Sequence, residues 1–331
     1  MNILFTSIGR RHYLVDFLRK HLNSNDKIIS INSKNTSSAK NNSNYFYLSP
    51  EVKTKKYIEF VKSVIKKHKI KVIIPLLDID VKKLSENFDV FKKLNVTLIA
   101  PPQNITKILV DKYKLFNFLT KNKIDCPKSY IFKKEFFKDL KLNKIKYPVI
   151  LKPRLGTSSK LIVKANNKKE LLFFYKFLTK EANKSFFGKK NDKQSILIQQ
   201  YIQGKEFGLD LFNSIKKEYF FHLLKEKIFI SSGETQVCKV SSNNISILSK
   251  KISKLISHNF LVDIDLIKKG KKFYIIDINP RIGGGYPFTH FAGCDMFKYL
   301  ISQIYNKKYR LKFNINTKNI FVKNIQVTKI K

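Results

Sequence analysis

Hydrophobic and polar positions near the start of the chain alternate between two periods. Residues 2–7 form an apolar run of strand length, and residues 11–22 repeat at helical spacing. Residues 27–32, 71–75 and 97–100 read as further strands, and 55–68 as a helix. Asp80 is placed to cap a helix running to about residue 94, and the Asn- and Ser-rich stretch 33–44 reads as a surface loop. Strand and helix in alternation predict a parallel sheet with helices on both faces, a Rossmann-like order.

The pattern changes after Pro101-Pro102. Residues 104–122 read as one long helix, followed by short strands at 130–133, 148–152 and 160–164 and a helix at 168–180. Residues 183–194 are polar and predict an excursion from the fold. Strands are expected at 196–201, 207–213, 220–224, 262–267 and 273–278, with a helix at 246–259. This second part is an α+β body built of antiparallel hairpins.

Composition narrows the class. The 331 residues are 43% hydrophobic, which is globular, and no apolar run reaches the roughly 18 residues that span a bilayer. The opening apolar stretch lacks a basic leader and is interrupted by Arg10-Arg11-His12, so it reads as a buried strand and not a signal peptide. Cys126, Cys238 and Cys294 are odd in number and far apart, which fits a reducing cytoplasm and neither a disulfide framework nor a zinc site. The net charge is +42, yet only six of the 66 basic residues are arginine. Lysine is spread along every helix, so the charge reads as diffuse and solvated, with no specific nucleic-acid surface and no membrane role.

The first strand–helix turn, Ser7-Ile8-Gly9-Arg10-Arg11, holds one glycine, so it carries no dinucleotide fingerprint. A G-x-x-x-x-G-K-[ST] phosphate loop is absent from the whole sequence. Arg10 and Arg11 are either holders of a carboxylate or phosphate or a solvated pair. The densest chemistry lies at residues 273–285. On a strand Asp277 and Asn279 share a face, and both offer the hard oxygen ligands that suit Mg²⁺ on nucleotide phosphates. Pro280 ends the strand, Arg281 adds a cation, and Gly283, Gly284 and Gly285 let backbone approach a ligand closely.

An acidic residue, any residue, then Asn-Pro-Arg resembles the C-terminal motif of the ATP-grasp superfamily. The set of motifs also resembles single-unit proteins like halves of carbamoyl phosphate synthase. The resemblance implies a Rossmann-like domain at 1–107, an ATP-grasp domain at 108–305 with a lid at about 125–195, and a tail at 306–331. It implies Mg²⁺ or Mn²⁺ held by Asp265, Asp277 and Asn279, with Asp263 the second choice to Asp265. It implies ATP phosphates on Lys112, on Lys152 and on the loop of Gly156, Thr157, Ser158 and Ser159. Lys152, flanked by apolar residues, is costly to bury without an anion. The resemblance further implies adenine beside Gln200, Tyr201 and Ile202 and ribose on Glu206, although many members carry glutamate where Gln200 stands.

The activity implied is ADP-forming ligation. A carboxylate becomes an acyl phosphate, which an amine then displaces, so the partners are small-molecule carboxylates and amines. Arg281 and the backbone of Gly283 and Gly284 would hold the carboxylate and its oxyanion. Carbamate or bicarbonate phosphorylation and a nucleotide-binding regulator without turnover are the competing readings, and a homodimer is a further expectation. The Gly233-Glu234 loop reads equally as a substrate contact or a turn, and His290 is the one histidine singled out for test.

Overall fold

A computed structural model describes residues 1–156, 161–184, 192, 194–307, 313–315 and 317–324. Its first sheet contains β1 (Asn2–Thr6), β2 (Lys27–Asn32), β3 (Tyr45–Leu48), β4 (Ile70–Pro75) and β5 (Thr97–Leu98). They are parallel, in the order β3-β2-β1-β4-β5. The central strands are apolar on both faces because helices cover both. From β1 the chain winds first to one side and then to the other, so the order reverses between β1 and β4. The carboxyl ends of those two strands therefore diverge into a crevice, the usual place for a ligand in such a sheet. The turn that carries Arg11 leaves β1 there, and the turn that leads to Asp78 leaves β4.

A second sheet holds β6 (Ser129–Tyr130), β7 (Val149–Pro153), β8 (Val163–Ala165) and β9 (Ile196–Gln200), antiparallel in the order β6-β9-β7-β8. The third sheet is antiparallel, in the order β14-β13-β10-β11-β12-β15. Its strands are β10 (Lys205–Asn213), β11 (Tyr219–Ser231), β12 (Glu234–Val240), β13 (Leu261–Lys269), β14 (Lys272–Asn279) and β15 (Ile320–Val322).

Where the fold departs from the sequence reading, local chemistry explains it. The helix expected over 104–122 breaks in two, Gln103–Leu109 and Lys112–Lys121, because Asp111 caps the second piece. Its carboxylate accepts the Tyr113 and Lys114 amides at 3.1 and 3.2 Å, and Arg154 locks it at 2.8 Å. Lys112 thus starts a helix instead of lying within one. Asp80 is no cap; it is buried and accepts from Tyr57 at 2.6 Å and from Thr6. The strand expected at 130–133 gives way to helix Lys133–Lys141, anchored by fully buried Phe136. Strand β12 and helices Tyr286–Phe291 and Met296–Ile304 were not anticipated, and β15 shows that part of the C-terminal tail joins the third sheet.

One core joins the first and third sheets. Phe5 and Phe17 from the first unit pack with Phe212, Phe260, Tyr286 and Phe297. Burying each such ring is worth about 2–3 kcal/mol. This shared core fixes Arg11 and Asp78 against the end of β14.

Candidate active site

Alternation and register build the site. Asp263 and Asp265 lie two apart on β13, Asp277 and Asn279 two apart on β14. The antiparallel pairing sets Asp263 opposite Asn279 and Asp265 opposite Asp277, so all four share one face. Neighbouring β10 and β11 add Glu206 and Asp210, then Lys225 and Lys227, to that face. These side chains, apart from Asp210, line a cavity of about 240 Å³ together with Lys112, Lys152 and Gly156.

Each carboxylate on β13 and β14 meets a cation. Lys112 lies 3.3 Å from Asp277 and donates to the Gly156 carbonyl at 2.9 Å. Lys227 donates to Asp265 at 2.5 Å, and Arg281 stands 3.1 Å from Asp78 and 3.4 Å from Asp263. Burial and the neighbouring Asp265 charge push the Asp263 carboxyl up, whereas Lys227 holds Asp265 down against burial. Lys152 is different. It is buried, and among the described residues no carboxylate forms an ion pair with it. Burial first, and Lys112 second, push its pKa down to about 8. An anion beside it would offset the cost of burying its charge.

Among the described residues no cluster of three or more His, Cys, Asp or Glu side chains makes a closed metal cage. The donor set here is two carboxylates and an amide with lysines on the carboxylates, which fits Mg²⁺ carrying part of its coordination on phosphate oxygens. Asp265, Asp277 and Asn279 are thus brought together, with Lys112, Lys152, Gly156, Glu206, Arg281 and Gly284 around the same cavity. Gly283 lies behind its wall, where a Cβ would fall 2.3 Å from the Asp263 carboxyl carbon, so only glycine fits. Thr157, Ser158 and Ser159 lie outside the described residues. Gln200, Tyr201 and Ile202 stand outside the cavity wall: the Gln200 amide oxygen accepts from the Lys128 amide at 3.3 Å, and Tyr201 packs under Lys164. His290 stacks on Phe17 at 3.7 Å and faces Asp295, away from the metal-type ligands. Asp78, Asp210 and Lys225 were not read as site residues in advance. The lysines of the Lys225-Glu226-Lys227 triplet share a face by alternation, which was the available signal.

His258 secures the strand end. It is fully buried, its Nε2 lies 3.2 Å from the Pro280 carbonyl, and its Nδ1 has no partner. Burial pushes its pKa down to about 4. The unfolded chain takes up the proton near its ordinary value of about 6.5, so the neutral ring's contribution is whole above that pH and is lost as pH falls through 4. The loss is about 3 kcal/mol. Urea unfolding from pH 7 to 4.5 should show it, and His258→Asn should flatten that slope. The comparison isolates His258 from Asp80, whose carboxyl burial raises to about 6 and whose effect runs the other way. Equal slopes in both proteins would rule the account out.

A family model described as "ATP-grasp domain" matches residues 109–285, more than half the chain. The chain belongs to the ATP-grasp family. Members are ATP-dependent ligases that release ADP. A second model, "PylC-like, N-terminal domain", matches residues 3–99 of this ATP-grasp chain. The carbamoyl phosphate synthase large chain of a Thermoanaerobacter strain is 23% identical over 229 residues, 66% of this chain. The D-alanine–D-alanine ligase of Petrotoga mobilis is 28% identical over 187 residues, 51% of this chain and 56% of that one. The chain spans only 20% of the length of the synthase it matches. Among solved structures, the biotin carboxylase domain of Hydrogenobacter thermophilus 2-oxoglutarate carboxylase, in complex with MgADP, ADP and bicarbonate, has a TM-score of 0.76 at 17% identity. That match covers 96% of this chain and 73% of the other. The N5-carboxyaminoimidazole synthetase of Staphylococcus aureus, complexed with ADP, has a TM-score of 0.72 at 14% identity, over 95% of this chain and 79% of that one. At these identities the likeness is one of fold. Among the described residues no helix is long and apolar enough to cross a membrane.

Proposed function

We propose that this protein is a carboxylate–amine ligase that works through an acyl phosphate. The observation that supports it most is Lys152, a buried ammonium without a carboxylate, in one cavity with Asp265, Asp277 and Asn279. ATP phosphates supply the missing anion. Asp265, Asp277 and Asn279 would hold Mg²⁺, which neutralises phosphate charge when bound. Lys112 and Lys152 bind the phosphates, and Glu206, on the same face, accepts from ribose hydroxyls.

In the first step a substrate carboxylate oxygen bonds to the γ-phosphorus as the bond to the ADP oxygen breaks. In the second, an amine attacks the acyl carbon, orthophosphate leaves, and the amine proton passes to solvent. Gly284 and Gly285 present backbone to the reacting carbonyl from the cavity wall. Arg281, held by Asp78 and Asp263, is a fixed positive charge beside it. The free cysteines Cys126, Cys238 and Cys294 fit a reducing cytoplasm as the place of action.

The test is product analysis with Mg-ATP and a panel of carboxylates in the absence of amine. ADP together with a hydroxamate, trapped by hydroxylamine, is the expected result. AMP and pyrophosphate would mean adenylation and defeat the proposal. ADP release driven by bicarbonate alone would favour the carbamoyl-phosphate-type reading instead.

A further inference from the structure

Among the described residues the cavity wall carries seven cationic side chains: Arg11, Lys112, Lys152, Lys225, Lys227, Arg281 and Lys323. Five are paired with carboxylates. Lys112 faces Asp277, Lys225 faces Asp210, Lys227 faces Asp265, Arg281 faces Asp78 and Asp263, and Lys323 faces Glu234 at 3.3 Å. Lys152 and Arg11 remain. Lys152 is taken up by the nucleotide phosphates under the function proposed above, and this inference rests on that reading. Among the described residues Arg11 then has no carboxylate paired with it.

The two unpaired cations occupy different parts of the cavity. The charges acting on Lys152 are Lys112, Asp277 and Asp265, whereas those acting on Arg11 include Arg281, Asp78 and Asp263. Along the strands the Asp265–Asp277 pair and the Asp263–Asn279 pair are one two-residue step apart, about 7 Å. Arg11 therefore lies toward the far end, past the metal-type ligands. It stands in the crevice between the diverging ends of β1 and β4, where its guanidinium donates to the Leu76 carbonyl. That single carbonyl is a small return for desolvating a guanidinium beside the like charge of Arg281, and burial and Arg281 both lower its pKa.

We propose that Arg11 is the docking residue for a second substrate carboxylate, one that is not phosphorylated. The local charge favours a carboxylate over a phosphate. Arg11 and Arg281 against Asp78 and Asp263 sum to zero, so a monoanion is tolerated where the second charge of a phosphate would be repelled by the two carboxylates. The Nε–Nη2 edge, which the Leu76 bond leaves open, also matches the planar, bidentate shape of a carboxylate. Either the amine carries this group, making the acceptor an amino acid, or the activated acid is a dicarboxylate.

Paired probes test it: amino acids against their amides, and dicarboxylates against their monoamides. Each is scored by thermal shift with Mg²⁺ and a non-hydrolysable ATP analogue, and in parallel by ADP release with ATP. Wild type should prefer the acid form at least tenfold in one series, and that series identifies the source. Arg11→Gln retains a donor for the Leu76 carbonyl but not the charge; it should erase the preference while keeping the shift given by the nucleotide alone. Arg11→Lys should recover part of it. No acid-over-amide preference in either series, or a preference that survives Arg11→Gln, would overturn the inference, even with ADP release intact. Acid-selective binding lost in Arg11→Gln without any ADP release would uphold the inference and defeat the ligase reading.

Discussion

Asp277→Asn is expected to lower turnover by about a hundredfold or more while leaving the unliganded fold within about 1 kcal/mol of wild type. The two effects separate because they come from different partners. In the unliganded protein Asp277 faces Lys112 at 3.3 Å, and neither side chain is fully buried. Such a pair is worth little, and Lys112 keeps its bond to the Gly156 carbonyl. Asparagine fills the same volume, so no cavity forms. Turnover depends instead on the full negative charge facing Asp265 across the strand pair, which a divalent ion needs and an amide does not supply. The decisive measurement is ligand-linked stability. Mg-ATP at a hundred times its dissociation constant should stabilise wild type by about 2.7 kcal/mol, and EDTA should remove most of that gain. The variant should show a small, EDTA-insensitive shift. A large loss of unliganded stability with turnover intact would make Asp277 a structural residue.

How much of this was readable in advance depends on how far apart in the chain the partners lie. The pairing of Asp265 with Asp277 was implied by the resemblance, and it has a local basis because β13 and β14 form one hairpin, closed at Gly270, whose positive φ of 57° suits a tight turn. A spacing of twelve residues then becomes a cross-strand neighbour, and strand alternation brings Asp263 and Asn279 with it. The parallel sheet was accessible for a similar reason, since its buried strands are short apolar runs between amphipathic helices. Asp78 and Arg11 were not readable as neighbours of Arg281. They sit at the starts of the helices that follow β1 and β4 of a different sheet, and the core shared by Phe5, Phe260 and Phe297 brings those helix starts to the end of β14. The split of the helix at Asp111 was missed because a capping aspartate looks, in sequence, like any polar position on a helix face. The tract at Gln200, Tyr201 and Ile202 was assigned by resemblance alone, and in this structure the Gln200 amide oxygen spends one of its two lone pairs on the Lys128 amide.

Lys225 offers the sharpest separation of fold from function. Its ammonium donates to Asp210 at 2.5 Å, to Thr289 at 2.8 Å and to the Gly285 carbonyl at 3.0 Å, so all three protons are in use. It has none left for a substrate, and its role is to position the end of the glycine run against the sheet. Lys225→Met strips the ammonium from fully buried Asp210 and leaves Thr289 as its remaining donor. Stripping one partner from such a pair should cost about 3–5 kcal/mol, which lowers the melting temperature by about 10 °C. Replacing both, as Lys225→Met with Asp210→Leu, removes the orphaned carboxyl group, and most of the stability should return. Activity should not return with it. The tether to the Gly285 carbonyl is still missing, and a displacement of about 1 Å in a positioned backbone costs up to about a hundredfold in rate. The expected pattern in the double variant is therefore a near-native melting temperature, a nearly unchanged KM for ATP and a kcat reduced at least tenfold. A double variant with wild-type kcat would show that the network serves the fold alone. A raised KM for ATP with kcat unchanged would show that Lys225 acts on nucleotide binding and not on the placement of Gly285.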